Sequence, residues 1–228
     1  MQIDMEGYQV ELSRKRIKNI NLRINSRGEV KVSAPLRTSL EYIQQFLREK
    51  SDWIQVRRDR LNTIPAAPAK QLISGEQHFF LGKLYPVHVY ENCAYNRVVF
   101  ESESLHCFVT QNTSVTQRHK LLQAWYRQEL KALLPDLIKK WESIIGVSVA
   151  SWGIKAMKSR WGSCHSVKKH ITINLYVMEK PLACLDYVIV HELVHILEAS
   201  HNARFWGLVA RFMPNWKDAH YQLKVLSV

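Results

Sequence analysis

One stretch constrains this chain more than any other: "LDYVIVHELVHILEASH", residues 185–201. Its opening is apolar enough for a core helix, and Pro181 just ahead of it suits a first helical turn. Yet the same segment carries His191 and His195, four apart, with Glu192 between them and His201 six residues further on. Residues i and i+4 share one helix face. His191 and His195 can therefore aim imidazole nitrogens at one ion about 2 Å away. A core helix that buries two histidines and a glutamate needs partners for them, and a metal ion supplies the partner. Glu192 sits beside the open coordination position. There it can take a proton from a metal-bound water, which is the logic of an HExxH helix.

The third ligand makes a demand on the backbone. Six residues at about 100° each turn His201 roughly 240° away from His195 on a straight helix. The spacing therefore predicts that the helix ends near Ala199–Ser200 and that the chain bends back. Ser200 and Asn202 are weak helix formers that tolerate such a turn. Glu198, on the face of both histidines, is the rival third ligand, or a partner that orients an imidazole. Zinc accepts both residue types, so metal chemistry alone leaves the choice open.

With 228 residues, 46% of them hydrophobic, the chain can build one large domain or two small ones. The N-terminus has no apolar run after its basic residues and does not read as a signal peptide. No run approaches the roughly 18 apolar residues that span a bilayer. Cys93, Cys107, Cys164 and Cys184 are scattered without a CxxC. They read as free thiols, and a cytoplasmic protein is expected. The net charge is +12, and residues 115–228 hold 16 Lys and Arg against 8 Asp and Glu. That balance permits weak nucleic-acid contact, although a solvated basic surface is the plainer reading.

The pattern predicts an α+β protein: a β-rich N-terminal region with one long helix over 1–113, then a helical C-terminal half with a small sheet over 114–228. "YQVELS", "IKNINLRIN" and "EVKVSAP" alternate as strands do. A single helix is expected from a Thr38–Glu41 capping box, with Leu40, Ile43, Leu47 and Ile54 on its apolar stripe. "IPAAPAK" at 64–70 is the best linker. Four more short strands between 78 and 111 are expected to join the first three in one antiparallel sheet. Ser114 opens a long helix, Pro135 predicts a kink or break in it, and Gly146 ends it. "HITINLYV" reads as a strand, "RWGSCHSVKK" as a turn. No internal repeat is visible. Arg160 can grip a carboxylate or oxyanion, or brace its own turn. Cys164 and His165 are adjacent and unsuited to face each other as nucleophile and base. His170 and His220 read as surface or packing residues, and Trp161, Phe205 and Trp206 as core or site wall.

Several motifs together resemble the YgjP-like metallopeptidase family, a zincin-type group distantly related to the SprT-like proteases. They are "KSRWGSC" at 158–164, "ITINLYV" at 171–177, "LDYVIVHELVHILEASHNARFW" at 185–206 and "MPNWKDAH" at 213–220. The resemblance covers nearly the whole chain. It implies zinc held by His191, His195 and His201, with Glu192 as general base. It also implies a zincin-like C-terminal half in which an edge strand, with "ITINLYV" the candidate, binds the substrate backbone by β-augmentation. The family often reads Asn before the third histidine and Ser-Pro after it; here those places hold Ser200 and Asn202–Ala203. The expected function is a zinc-dependent metallopeptidase acting on a protein or peptide. The alternatives are a nucleic-acid-associated module with a structural zinc site, and a zinc hydrolase of a non-peptide amide.

Overall fold

Apolar–polar alternation builds the first part of the chain. A computed structural model describes residues 1–5, 7–25, 28–63 and 70–225, with the side chains of 60–63 and 225 left aside. The chain divides into two compact units, Met1–Ala69 and Lys70–Val228. Apart from Lys70, the linker candidate at 64–70 lies outside the described residues. In the first unit β1 (Gln2–Met5), β2 (Tyr8–Lys15), β3 (Asn21–Ile24) and β4 (Val30–Pro35) form one sheet in the order β1-β2-β4-β3. Val10 and Leu12 of β2, with Val30, Val32 and Ala34 of β4, are buried. Ile43, Leu47 and Ile54 cover them from α1 (Leu40–Glu49) and α2 (Ser51–Thr63). The single helix expected here is thus two, separated at Lys50, whose ψ of 6° leaves the helical range. Ser39, not Thr38, caps α1: its side chain accepts from the Tyr42 amide at 3.2 Å.

The second unit starts with the same strand order. β5 (Gln77–Phe80), β6 (Lys83–Tyr90), β7 (Arg97–Glu101) and β8 (Ser104–Phe108) lie as β5-β6-β8-β7. In both sheets the central pair is parallel, β2 with β4 and β6 with β8. Two corrections follow. The strands make two separate mixed sheets rather than one antiparallel sheet, and a structural repeat exists where the sequence displays none. Phe80, Val87, Leu105 and Cys107 share one core with the helices that follow. The division therefore falls between Ala69 and Lys70, and a boundary at 113/114 would run through this core.

α3 (Val115–Ile145) opens on Ser114 with a reciprocal Gln117 cap and ends on Gly146 in the left-handed region. It runs unbroken through Pro135. Pro135 and Lys131 stand on the exposed face, where solvent can take the carbonyl that proline leaves unbonded. After α3 come β9 (Ser151–Lys155), β10 (Gly162–His165) and β11 (His170–Asn174), ordered β10-β11-β9. A 3-10 turn (Leu175–Glu179) leads into α4 (Leu182–Leu197), and α5 (Ala203–Phe212) and α6 (Trp216–Val225) close the unit. α4 packs against α3, α5, α6, β10 and β11, so it is the centre of this core. Among the described residues no helix is long and apolar enough to cross a membrane.

One glycine locks the second sheet to the start of α4. Gly82, in the β5–β6 turn, has φ of 84°, and a Cβ there would lie 2.6 Å from the Pro181 ring. Beside it the Leu81 amide donates to the Met178 carbonyl at 2.7 Å. Gly82→Ala must therefore strain both the turn and the entry to α4. It should cost about 2–3 kcal/mol, read as a fall in the urea midpoint with an unchanged slope.

Candidate metal centre

α4 is buried on nearly every side, with Leu185, Val188, Ile189, Val190, Leu193 and Val194 all inside. His191 and His195 lie one turn apart on the face left partly open, with ring centroids 4.9 Å apart. The helix then stops. Glu198 turns extended (φ −146°, ψ 112°) while its amide still donates to the Val194 carbonyl. Asn202 caps α5 by accepting from the Phe205 amide at 3.0 Å. This bend, two residues earlier than the sequence predicts, swings His201 back. Its Nε2 comes within 3.0 Å of His191 Nε2, and one ligand atom from each of the three histidines lies within 4.8 Å of the others.

These donors fit a zinc ion. Three imidazole nitrogens are ordinary zinc ligands, and they must be neutral to bind. Burial, followed by the neighbouring rings of His195, His201 and His220, pushes His191 down to about 3. Burial also lowers His195, against the opposing pull of the Glu198 carbonyl. The far sides of the His191 and His195 rings are held as well. His195 Nδ1 lies 3.2 Å from the Glu198 carbonyl oxygen, so its N–H donates there and Nε2 keeps its lone pair. His191 Nδ1 lies 3.5 Å from the Tyr187 hydroxyl, which in turn lies 2.9 Å from His220 Nδ1. With the proton on His191 Nδ1, the hydroxyl accepts from His191 and donates to His220.

Glu198 does not join the cluster through its carboxylate. That group accepts from the Ser200 amide at 3.2 Å and lies 3.6 Å from Arg204. It braces the bend, while its main-chain carbonyl orients His195.

Glu192 lines the same cleft as the three rings and packs against β10. It is 4% exposed, and a Cβ on Gly162 would sit 2.8 Å from its Cγ and Cδ. The glycine of the "RWGSC" stretch therefore makes the space that the carboxylate fills. Burial raises the Glu192 carboxyl to about 8, and the nearby Arg160 guanidinium works in the other direction. Burial, with Glu192 adding to it, pushes the Cys164 thiol up to about 11. His165 instead accepts from the Lys168 amide, so Cys164 and His165 form no nucleophile–base pair.

Asn174, which sequence reasoning passed over, holds the rim. It is buried at the end of β11. Its amide donates to the Met157 and Arg160 carbonyls at 2.9 and 2.8 Å. Its oxygen accepts from the Met157 and Tyr176 amides. An Asn at a strand end, directly before a 3-10 turn, is a readable cap signal. Asn174 thus does the bracing that one reading gave to the Arg160 side chain, which makes no hydrogen bond among the described residues. His220, expected as a surface or packing residue, lines the cleft beside Tyr187. The cleft holds about 580 Å³ and also exposes Arg160, Trp161, Gly162 and Lys224. "ITIN", expected at an edge, is the central strand, and β10 is the edge on the cleft side.

The Glu192 environment gives the metal-free protein a pH signature. The folded state keeps a proton that the unfolded chain releases above the ordinary value of 4.5. Stability is therefore lost as pH rises toward about 8. His191 acts oppositely, but only below its ordinary 6.5. Between 6.5 and about 8 the metal-free thermal midpoint should fall, and Glu192→Gln should flatten that fall while leaving the limb below 4.5 unchanged. Calorimetry on chelator-treated protein checks both limbs.

The model of the YgjP-like metallopeptidase domain matches residues 18–225. No curated protein matches the chain. Two solved structures align with part of it. The metallopeptidase zymogen of Pyrococcus abyssi abylysin is 21% identical, covering 40% of this chain and 90% of its own, with a TM-score of 0.37. The zymogen of Methanocaldococcus jannaschii jannalysin is 25% identical, covering 40% and 91%, with a TM-score of 0.34. The domain match spans most of the sequence and contains every residue of the histidine cluster, and on that ground the chain belongs to the YgjP-like metallopeptidase family.

Proposed function

We propose that this chain is a zinc-dependent metallopeptidase of the zincin type, with His191, His195 and His201 as the metal ligands and Glu192 as the general base. The observation that carries the reading is the pairing of three converging imidazoles with a buried carboxylate one residue along the same helix. Zinc bound there would polarise a scissile carbonyl and lower the pKa of a water toward about 7. Glu192 takes the proton from the attacking water and returns it to the leaving amine. Its buried position suits that task, because a desolvated carboxylate is a stronger base than an exposed one. The Glu198 carbonyl and the Tyr187 hydroxyl hold the ligand rings in orientation. The free edge of β10 is the place for an extended substrate to add as a further strand.

The reading is favoured over a purely structural zinc site by the donor count. A closed site takes four protein ligands, whereas the cluster among the described residues holds three. A cleft walled by an open strand edge also suits a peptide backbone better than a small amide.

Replacing His191, His195 or His201 with alanine should remove most of the zinc measured by elemental analysis, and Glu198→Ala should retain it. Glu192→Gln should keep fold and metal and lose about 10²–10⁴-fold in turnover on a peptide library. Undiminished turnover in the folded, zinc-loaded Glu192→Gln protein would refute the mechanism.

A further inference from the structure

The cleft carries more positive charge than the ligand set needs. Among the described residues its only carboxylate is Glu192, buried against β10. Arg160 and Lys224 line the same cleft, and both are exposed. Neither is in an ion pair among the described residues. Elsewhere this chain pairs its cations where an acid is near, as in Arg118 with Glu91 at 2.7 Å and Lys140 with Asp186 at 3.3 Å. The backbone places both cleft cations. Asn174 fixes the Arg160 backbone through its carbonyl, so the position is set while the guanidinium, near Glu192, makes no hydrogen bond among the described residues. Lys224 follows His220 by one helical turn on α6, which puts both on one face of that helix.

We infer that this cleft selects peptides that present a carboxylate to Arg160 and Lys224. The inference rests on the peptidase reading and names its substrate class. Arg160 can take a carboxylate through two parallel N–H donors, and Lys224 adds a second charge that deters basic segments. Trp161 and Leu223 add apolar wall to the same cleft. The carboxylate has two sources: an internal Asp or Glu side chain, or the free C-terminus of a short peptide.

The test is binding, which needs no turnover. Peptides of one length carry a neutral dye. One is neutral with an amidated end, one has internal glutamates and an amidated end, one is neutral with a free C-terminus, and one has internal lysines. Fluorescence polarisation is read on zinc-loaded Glu192→Gln protein and, should that variant not fold, on metal-free wild type. A carboxylate-bearing peptide should bind about 10-fold more tightly than the neutral one, with the advantage shrinking as salt rises. Whichever of the two carboxylate peptides gains identifies the source. The advantage should vanish in Arg160→Gln/Lys224→Gln protein of unchanged thermal midpoint, and Arg160→Glu should shift preference toward lysine peptides. Equal affinity for all peptides overturns the inference, as does an advantage that survives in the double variant. A single-stranded oligonucleotide that displaces the acidic peptide at lower concentration than the peptide itself also overturns it, and assigns the cations to phosphate. Hydrolysis of neutral and acidic peptides at equal rates refutes the selection while leaving the peptidase reading intact. Acidic-peptide binding without any hydrolysis by zinc-loaded wild type does the reverse.

Discussion

Desolvation of polar groups on an otherwise apolar helix governs this structure. α4 is the hub of the larger core, and its flanks pack against α3, α5, α6 and the small sheet. An unpaired imidazole or carboxylate in such surroundings costs several kcal/mol. Every polar group on α4 therefore has an arrangement built around it. His195 uses a carbonyl released by the end of its own helix. His191 leans on a tyrosine one turn back, which leans on a histidine from α6. Glu192 has the space left by Gly162 but no such donor among the described residues, and burial leaves it with a raised proton affinity. A divalent cation beside it would reverse that penalty, so fold stability and metal binding draw on the same few atoms.

The three-stranded sheet is shaped to this helix rather than the helix to the sheet. β10 is only four residues, "GSCH", and begins with the one residue that has no side chain to collide with Glu192. Asn174 then fixes residues 157–161 through the backbone, using both halves of its amide. Such a buried, fully bonded amide is a strong constraint, since removing it strands several main-chain groups at once. The rim keeps its shape through main-chain bonds, and its side chains are left to meet a ligand.

What the sequence made legible was local. The i, i+4 pair of His191 and His195 follows from helix geometry alone, and the face problem at His201 required a bend that the structure supplies at Glu198. Ser114 and Gly146 mark the ends of α3 by backbone chemistry within a few residues. Non-local features stayed hidden. Parallel pairing of β2 with β4, and of β6 with β8, depends on where a neighbouring hairpin inserts, and residue alternation carries no such information. β10 lacks alternating apolar residues and so read as a turn, which also misplaced the sheet edge onto β11. His220 and Asn174 acquire their partners only when α6 and β11 have docked. Pro135 misled because a proline on an exposed face loses its hydrogen bond to water, not to a void.

A strand left open beside the cleft has a second side to its use. Unpaired main-chain donors and acceptors accept any extended backbone, including that of another copy of the same protein. Here the hazard is bounded by length, for four residues offer few rungs to an intruding strand. The turn that follows carries Lys168 and Lys169 side by side at the surface. Like charges brought face to face by edge-to-edge pairing repel, so the turn acts as a gatekeeper against self-assembly. The feature that would admit a substrate is thus kept short and flanked by charge, a compromise between recognition and solubility.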